Sequence, residues 1–157
     1  PITPQLILEE VAHELEPHAR KQAQLIKVRG SSRKQIVLAD RGCLHAVLFN
    51  LLDNAIKSSL PESTIELESR TRAQCAQLVV KDYGMGVKKA DLKRLFEQFG
   101  RMQRPVPQWA TTTGLGLYIA RQLTEAMNGH LDLTRRKNGT SFLVNLQLSH
   151  QLSLFEV

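Results

Sequence analysis

Leu44-His45-Ala46-Val47-Leu48-Phe49-Asn50-Leu51-Leu52-Asp53-Asn54-Ala55-Ile56-Lys57 is the most regular stretch of the chain. Its Leu44, Val47, Leu48, Leu51, Leu52, Ala55 and Ile56 recur at the spacing of one buried helical face. Asp40 stands where an N-cap belongs, so a helix is predicted to start there. Asn50, Asn54 and Lys57 then share a narrow stripe beside the apolar face, because residues three and four apart are neighbours on a helix. Two amide carbonyls and an ammonium on one line suit a hard cation with its phosphates, since Mg²⁺ takes oxygen ligands and keeps phosphates in the same shell. Read alone, the same three residues equally suit a wet helix edge.

Outward from this helix the chain alternates between the two periodicities. Upstream, residues 4–24 carry Leu6, Ile7, Val11, Leu15 and Ala19 at helical spacing, with Pro17 expected to kink or divide the segment. Two β-like stretches follow, Leu25 to Arg29 and Gln35 to Ala39, and the intervening Gly30-Ser31-Ser32 reads as a hairpin turn. Downstream, residues 63–71 and 74–81 form a second strand pair around Arg72 and Ala73. A short helix is predicted from Lys88 to Phe96. Residues 100–113 then show no periodicity, and a structureless stretch of that length inside a compact domain is commonly a lid or a binding loop. A helix opens at Gly114-Leu115-Gly116, runs through Met127 and closes at Asn128-Gly129. Strands at 130–136 and 140–148 meet at a turn through Asn138-Gly139.

Three further segments carry chemistry. Asp82-Tyr83-Gly84-Met85-Gly86 ends an apolar strand with a carboxylate and two glycines. The carboxylate can accept from an exocyclic amine and the glycines admit a close ligand; a strand-ending turn with a solvated Asp is the plainer reading. Thr111-Thr112-Thr113-Gly114-Leu115-Gly116-Leu117 precedes a helix, whose free N–H groups attract anions such as the phosphates of ATP. It fits neither the Walker pattern nor a dinucleotide fingerprint, which would need a third glycine where Ile119 stands. Leu95-Phe96-Glu97-Gln98-Phe99 offers aromatics to pin one end of the 100–113 stretch.

Composition narrows the classes. With 42% apolar and 23% charged residues in 157, the chain is an ordinary globular protein of one domain's size, neither disordered nor a disulfide scaffold. Cys43 and Cys75 form no CxxC pattern, so neither zinc nor redox chemistry is encoded, and buried free thiols are expected. No apolar run approaches the roughly 18 residues that span a bilayer, and no signal peptide opens the chain. A net charge of +6 invites a nucleic-acid reading. The excess falls in two clusters, Lys88, Lys89, Lys93, Arg94 and Arg135, Arg136, Lys137, with no aromatic stripe, which reads as solvated surface and not as a nucleic-acid face.

Taken together, these segments resemble the ATP-binding catalytic domain of sensor histidine kinases, a branch of the GHKL superfamily shared with gyrase, the ninety-kilodalton heat-shock chaperone and mismatch-repair ATPases. Asn50 to Lys57 resembles the N box, Asp82 to Gly86 the G1 box, Leu95 to Phe99 the F box, Thr113 to Leu117 the G2 box, and Asn138-Gly139-Thr140 the last glycine motif. They stand in the family's order over about residues 3–148. The resemblance implies a two-layer α/β sandwich, a mixed and mostly antiparallel sheet backed by helices, with an ATP lid at about 100–113. It implies that Asn54 binds Mg²⁺ with Asn50 beside it on the triphosphate, that Lys57 meets the phosphates, and that Asp82 accepts the adenine amino group. Gly84 and Gly86 would admit the base. Thr113, Gly114, Leu115, Gly116 and Leu117 would line the phosphates, Thr140 would lie in the nucleotide site, and Arg101 or Arg104 of the lid would reach a phosphate.

The implied activity is transfer of the ATP γ-phosphoryl group to a histidine on a dimerisation domain absent from this chain, then onward to a response regulator receiver domain. The domain is expected to be cytoplasmic, to touch neither membrane nor nucleic acid, to turn over little alone, and to begin at Pro1 just after the histidine domain. Two departures stand out. Ser58 and Ser59 occupy positions where the family often has an aromatic over the adenine, which keeps a nucleotide-binding module without kinase activity as an alternative. Asn50 stands where the ATP-hydrolysing branches carry a glutamate base, which favours a kinase over an ATPase. His13-Glu14-Leu15-Glu16-Pro17 resembles the phosphoacceptor box but lies too close to Asn50 for a helical hairpin to intervene. His13 and His18 are also spaced wrongly for zinc on one helix face.

Overall fold

The computed structural model describes residues 1–30, 35–97 and 115–149. Its strands are β1 (Leu25–Arg29), β2 (Thr64–Arg72), β3 (Cys75–Lys81), β4 (His130–Arg136) and β5 (Gly139–Gln147), in one sheet of order β1-β2-β3-β5-β4. β1 runs parallel to β2 and the other pairings are antiparallel, the mixed, mostly antiparallel sheet expected. Helices α1 (Pro4–Arg20), α2 (Arg41–Ser58) and α3 (Gly116–Ala126) share one core with the sheet, including Leu8, Val11, Leu48, Leu52, Ile65, Leu78 and Phe142. The opposite face of the sheet is mostly polar around the paired Val79 and Leu143. Arg70 Nε donates to Gln77 Oε1 at 2.8 Å, Gln77 Nε2 to Asn145 Oδ1 at 2.8 Å, and Asn145 Nδ2 to Asp132 Oδ2 at 3.2 Å, a chain across four strands.

The expected hairpin between residues 25–29 and 35–39 does not form. β1 pairs instead with β2, Leu25 opposite Thr64 through Arg29 opposite Glu68. This register sets Ile26 beside Ile65 and Val28 beside Leu67, so one face of both strands is apolar and meets the helices. Val37, fully buried, makes isolated bridges to Ile2 and Leu148 and ties the first residues to the end of β5. Gly30, at φ +91°, takes the chain away from β1 where a side chain would lie 2.4 Å from the Ser69 carbonyl oxygen.

Three smaller expectations also change. Pro17 does not divide α1; it stands in the last turn, where its missing N–H removes one helical bond. The predicted helix at 88–96 is a single 3₁₀ turn, Lys89–Asp91, followed by turns. Cys43 and Cys75 are free, but half-buried and not buried.

Asp40 caps α2, its carboxylate accepting from the Cys43 N–H at 2.8 Å. The seven apolar residues quoted at the outset are all buried along this helix. Each fully buried leucine is worth about 1.5–3 kcal/mol, so this face fixes the helix's rotation and leaves Asn50, Asn54 and Lys57 at its flank. At the other end, Gln24, buried between α1 and β1, donates from Nε2 to the carbonyls of Ile56 and Ser59 at 3.1 Å and of Leu60 at 3.4 Å. A side chain thereby satisfies the carbonyls that the helix end leaves open.

Candidate functional site

The end of α2, the end of β3 and the β4–β5 turn converge at Asp82. Its carboxylate is buried, 3% exposed, and Oδ1 accepts from the backbone N–H groups of Thr140 at 3.0 Å and Gly84 at 3.3 Å. The Asp82 N–H donates to the Thr140 carbonyl at 2.9 Å. Burial raises the Asp82 carboxyl above its ordinary value, opposed by the two N–H donors and by the positive charge of Arg136. A buried carboxyl perturbed in this way, in a concave site, marks a functional candidate.

Glycine makes this convergence possible, through contacts with the chain's own backbone. A side chain on Gly84 would sit 2.2 Å from the Ser58 carbonyl oxygen, and one on Gly139 would sit 2.1 Å from the Asp82 carbonyl oxygen. Gly84 forms an isolated bridge with Ser59, whose buried hydroxyl accepts from the Tyr83 N–H at 3.3 Å. The expectation that Gly84 simply admits a base is therefore refined: it lets the 82–86 loop close onto the end of α2. Gly86, at φ +73°, supplies the turn, and a side chain there would meet the Gly139 carbonyl oxygen at an ordinary 3.6 Å.

Asn54, Asp82, Gly86 and Thr140 line one pocket with Ser58, Met85, Val87, Leu95 and Phe142. Its polar groups lie beside an apolar wall, the usual make-up of a small-molecule site. Phe96 meets Phe142 edge-on, ring centroids 6.2 Å apart, and Arg121 lies over Phe96 at 5.4 Å, so this phenylalanine is anchored to the core as expected. Ser58 turns its hydroxyl back onto the Asn54 carbonyl at 2.7 Å. The apolar wall comes from Met85, Val87, Leu95 and Phe142 in place of an aromatic after Lys57.

The other predicted residues are placed less uniformly. Asn50 donates from Nδ2 to the Ala46 carbonyl at 2.8 Å, and its Oδ1 lies 3.4 Å from where a Gly116 side chain would begin, at the start of α3. Lys57 pairs with Asp53 at 2.8 Å on its own helix. Leu115 is half-buried at the helix entry, while Leu117 turns its side chain into the core. Arg101, Thr113 and Gly114 lie outside the described residues, as do Arg104, Gln98, Phe99 and the 100–113 stretch. One site residue escaped the sequence reading. Arg136, assigned to a solvated basic cluster, is half-buried, donates from Nη2 to the Asp82 carbonyl and stacks over Tyr83 at 4.6 Å.

A profile of the family described as histidine kinase-, DNA gyrase B- and HSP90-like ATPase matches residues 39–150. The chain belongs to that family. Among relatives of this domain, the swarming motility regulation sensor protein RssA of Serratia marcescens is 36% identical over 138 residues, 86% of this chain and 29% of that protein. Sensor protein IrlS of Burkholderia pseudomallei is 36% identical over 121 residues, 77% of this chain and 25% of that protein. The crystal structure of full-length ShkA in complex with AMPPNP superposes with a TM-score of 0.81 at 26% identity, over 95% of this chain and 31% of ShkA. The nucleotide-free catalytic domain of the histidine kinase ThkA shares the fold, with a TM-score of 0.79 at 24% identity over 93% of this chain and 94% of that domain. The chain is thus a GHKL ATP-binding domain of the sensor histidine kinase type. It spans less than a third of the length of the two relatives named. Among the described residues, no helix is long and apolar enough to cross a membrane.

Proposed function

We propose that the chain binds Mg-ATP in the pocket at Asp82 and presents the γ-phosphoryl group to a histidine carried by a separate dimerisation domain, for onward transfer to a response regulator receiver domain. The observation that carries the proposal is the buried Asp82 carboxylate. One oxygen is held by two backbone N–H groups, and the residue lies in the same pocket as Asn54. Asp82 accepts from the adenine amine, and Thr140 and Gly86 flank the base. Guanine is rejected because its carbonyl would face an acceptor.

Asn54 and Asn50 hold Mg²⁺ through their amide oxygens. Hard oxygen donors with room for phosphates fit that ion, which usually binds through few protein ligands plus substrate phosphates. When bound, it neutralises charge on the phosphates. Lys57 meets the phosphates after leaving Asp53. Gly114, Gly116 and the backbone at Thr113, Leu115 and Leu117 line them, with Arg101 or Arg104 from a lid at 100–113. In the transfer the bond from the γ-phosphorus to the bridging oxygen breaks, a bond to the histidine nitrogen forms, ADP leaves, and the ring proton passes to solvent. The protein's part is positioning and charge, as is general for phosphoryl transfer. Asn50 offers no base to activate water, which separates this site from an ATPase. The domain, about residues 3–148, works on the cytoplasmic side of its parent protein.

The test is titration of the chain with ATP and ADP, with and without Mg²⁺, alongside Asn54→Ala. Asn54→Ala is expected to abolish the Mg²⁺ dependence. Adding a histidine-bearing dimerisation domain and γ-phosphate-labelled ATP should then label that histidine. Failure of either nucleotide to bind with Mg²⁺ present refutes the proposal at its first step, and binding without transfer to any such domain selects a nucleotide-binding module.

A further inference from the structure

Arg136 is absent from every motif read in the sequence, yet it is the charged side chain that approaches Asp82. It pairs across the β4–β5 turn with Gly139. That residue has no side chain where the Asp82 carbonyl passes, since a Cβ there would lie 2.1 Å from the oxygen. Arg136 Nη2 donates to this same Asp82 carbonyl, while its guanidinium carbon stands 4.6 Å from the centroid of the Tyr83 ring. Its Nε is buried with no hydrogen-bond partner. No ion pair joins the guanidinium to the Asp82 carboxylate among the described residues.

We infer that Arg136 is a positioning residue for adenine recognition: by gripping the Asp82 carbonyl and the Tyr83 ring together, it sets the carboxylate that reads the exocyclic amine. The inference rests on the assignment of Asp82 to the adenine amine. A planar guanidinium can stack on a ring and donate sideways at once, whereas an ammonium is a point donor that meets one demand at a time. Arg136 also places a full positive charge near a buried carboxylate without spending that carboxylate's acceptor sites. The accepting edge stays free for a ligand. With Arg136 removed, the turn at 82–84 keeps its bonds to Thr140 and Ser59 but loses its only cationic clamp among the described residues.

The experiment compares two nucleotides that differ only in the group Asp82 is proposed to read. ATP and purine riboside triphosphate, which lacks the exocyclic amine, are titrated with Mg²⁺ into wild type, Arg136→Gln, Arg136→Lys and Asp82→Asn, with a thermal melt of each variant. Arg136→Gln is expected to weaken ATP binding about 10-fold while changing purine riboside triphosphate by less than about 2-fold, with Arg136→Lys between, since a hydrogen bond to a charged group is at stake. Equal losses for both nucleotides would mean that Arg136 only holds the fold, and that overturns the inference. So does an unchanged ATP affinity. Should Arg136→Gln melt below the assay temperature, Arg136→Lys carries the same comparison. If wild type fails to prefer ATP and Asp82→Asn makes no difference, the assignment of Asp82 is the error and the role of Arg136 falls with it. If Asp82→Asn removes the preference and the Arg136 variants do not, only the role of Arg136 fails.

Discussion

Asp82→Asn should reverse a preference as well as weaken a contact. Oδ1 accepts from the N–H groups of Thr140 at 3.0 Å and Gly84 at 3.3 Å. An amide nitrogen in that place would face two donors, so the asparagine must put its oxygen there and its NH₂ where Oδ2 was. The edge offered to the ligand then changes from acceptor to donor. A hydrogen bond to a charged group contributes about 1.5–3 kcal/mol, so ATP affinity should fall on the order of 10- to 100-fold. A 6-oxo purine presents an acceptor at that position, so inosine triphosphate should bind the variant better than it binds wild type. Calorimetric titration of both nucleotides with Mg²⁺ measures the ratio. The reasoning is refuted if ATP affinity stays within about 2-fold of wild type, or if inosine triphosphate gains nothing relative to ATP.

The same substitution predicts a change in stability with a definite sign. Burial holds the Asp82 carboxyl above its unfolded value of 3.8, so protonation favours the folded state. The contribution is fully present below 3.8 and is lost as pH rises through the raised folded value. At neutral pH the ionised carboxylate therefore opposes folding, a cost that an uncharged asparagine of the same shape does not carry. Asp82→Asn should melt no lower than wild type at pH 7, with its advantage shrinking as pH falls toward 3.8. A variant that melts lower at neutral pH and recovers in acid would contradict the assigned direction.

Three other substitutions test the supports of the site. Gln24→Leu removes the side-chain donor to the carbonyls of Ile56 and of the C-cap Ser59 and should cost about 1–3 kcal/mol in urea unfolding, with no change in the slope of the transition. Gly84→Ala places a methyl 2.2 Å from the Ser58 carbonyl oxygen and must displace backbone; a loss of about 1–3 kcal/mol together with weakened nucleotide binding is expected, and an unchanged melting temperature counts against the close approach. Asp53→Asn frees Lys57 from a pair worth about 0.3–0.5 kcal/mol, so affinity for ATP relative to adenosine should rise by up to about 2-fold with little change in stability. A fall in that ratio would mean that Asp53 serves the phosphates directly.

The helix carrying Asn50, Asn54 and Lys57 was legible because seven apolar residues at one spacing admit a single rotation, and that rotation alone places the polar stripe. The two hairpins, β2–β3 and β4–β5, were legible because their turns lie close in sequence at Ala73-Gln74 and Asn138-Gly139, whereas the antiparallel pairing of β3 with β5 joins strands some sixty residues apart and left no local signal. β1 was not, because its partner is β2, beyond a whole helix, and nothing near Leu25 to Arg29 distinguishes a parallel neighbour from the nearer segment at Gln35 to Ala39. Arg136 was missed because Arg135-Arg136-Lys137 looks like uniform surface charge. Strand alternation separates the three, and only knowing that the Asp82 carbonyl passes close to the β4–β5 turn at Gly139 gives the middle one a task. Gln24 carried no signal either, being one glutamine among several whose partners lie more than thirty residues away.

The two ends of the proposed site are built differently, and this bears on how a nucleotide would be read. At the base end, Asp82, Gly84, Thr140 and Gly139 are locked by backbone contacts, and the carboxylate is held where its ionisation opposes folding. Such an arrangement is preorganised, so discrimination by the base needs no rearrangement. At the phosphate end the polar groups of α2 are occupied by the helix itself: Asn50 Nδ2 on the Ala46 carbonyl and Lys57 on Asp53. Of these, the Lys57–Asp53 pair must break for Lys57 to meet a phosphate, at a cost of about 0.3–0.5 kcal/mol set against charge-assisted bonds roughly twice as strong as neutral ones. Under the proposed assignment, base identity would be set by rigid backbone, and the presence of phosphate by side chains that change partners. An adenine analogue without phosphates should meet the full selectivity of Asp82 while leaving Lys57 on Asp53.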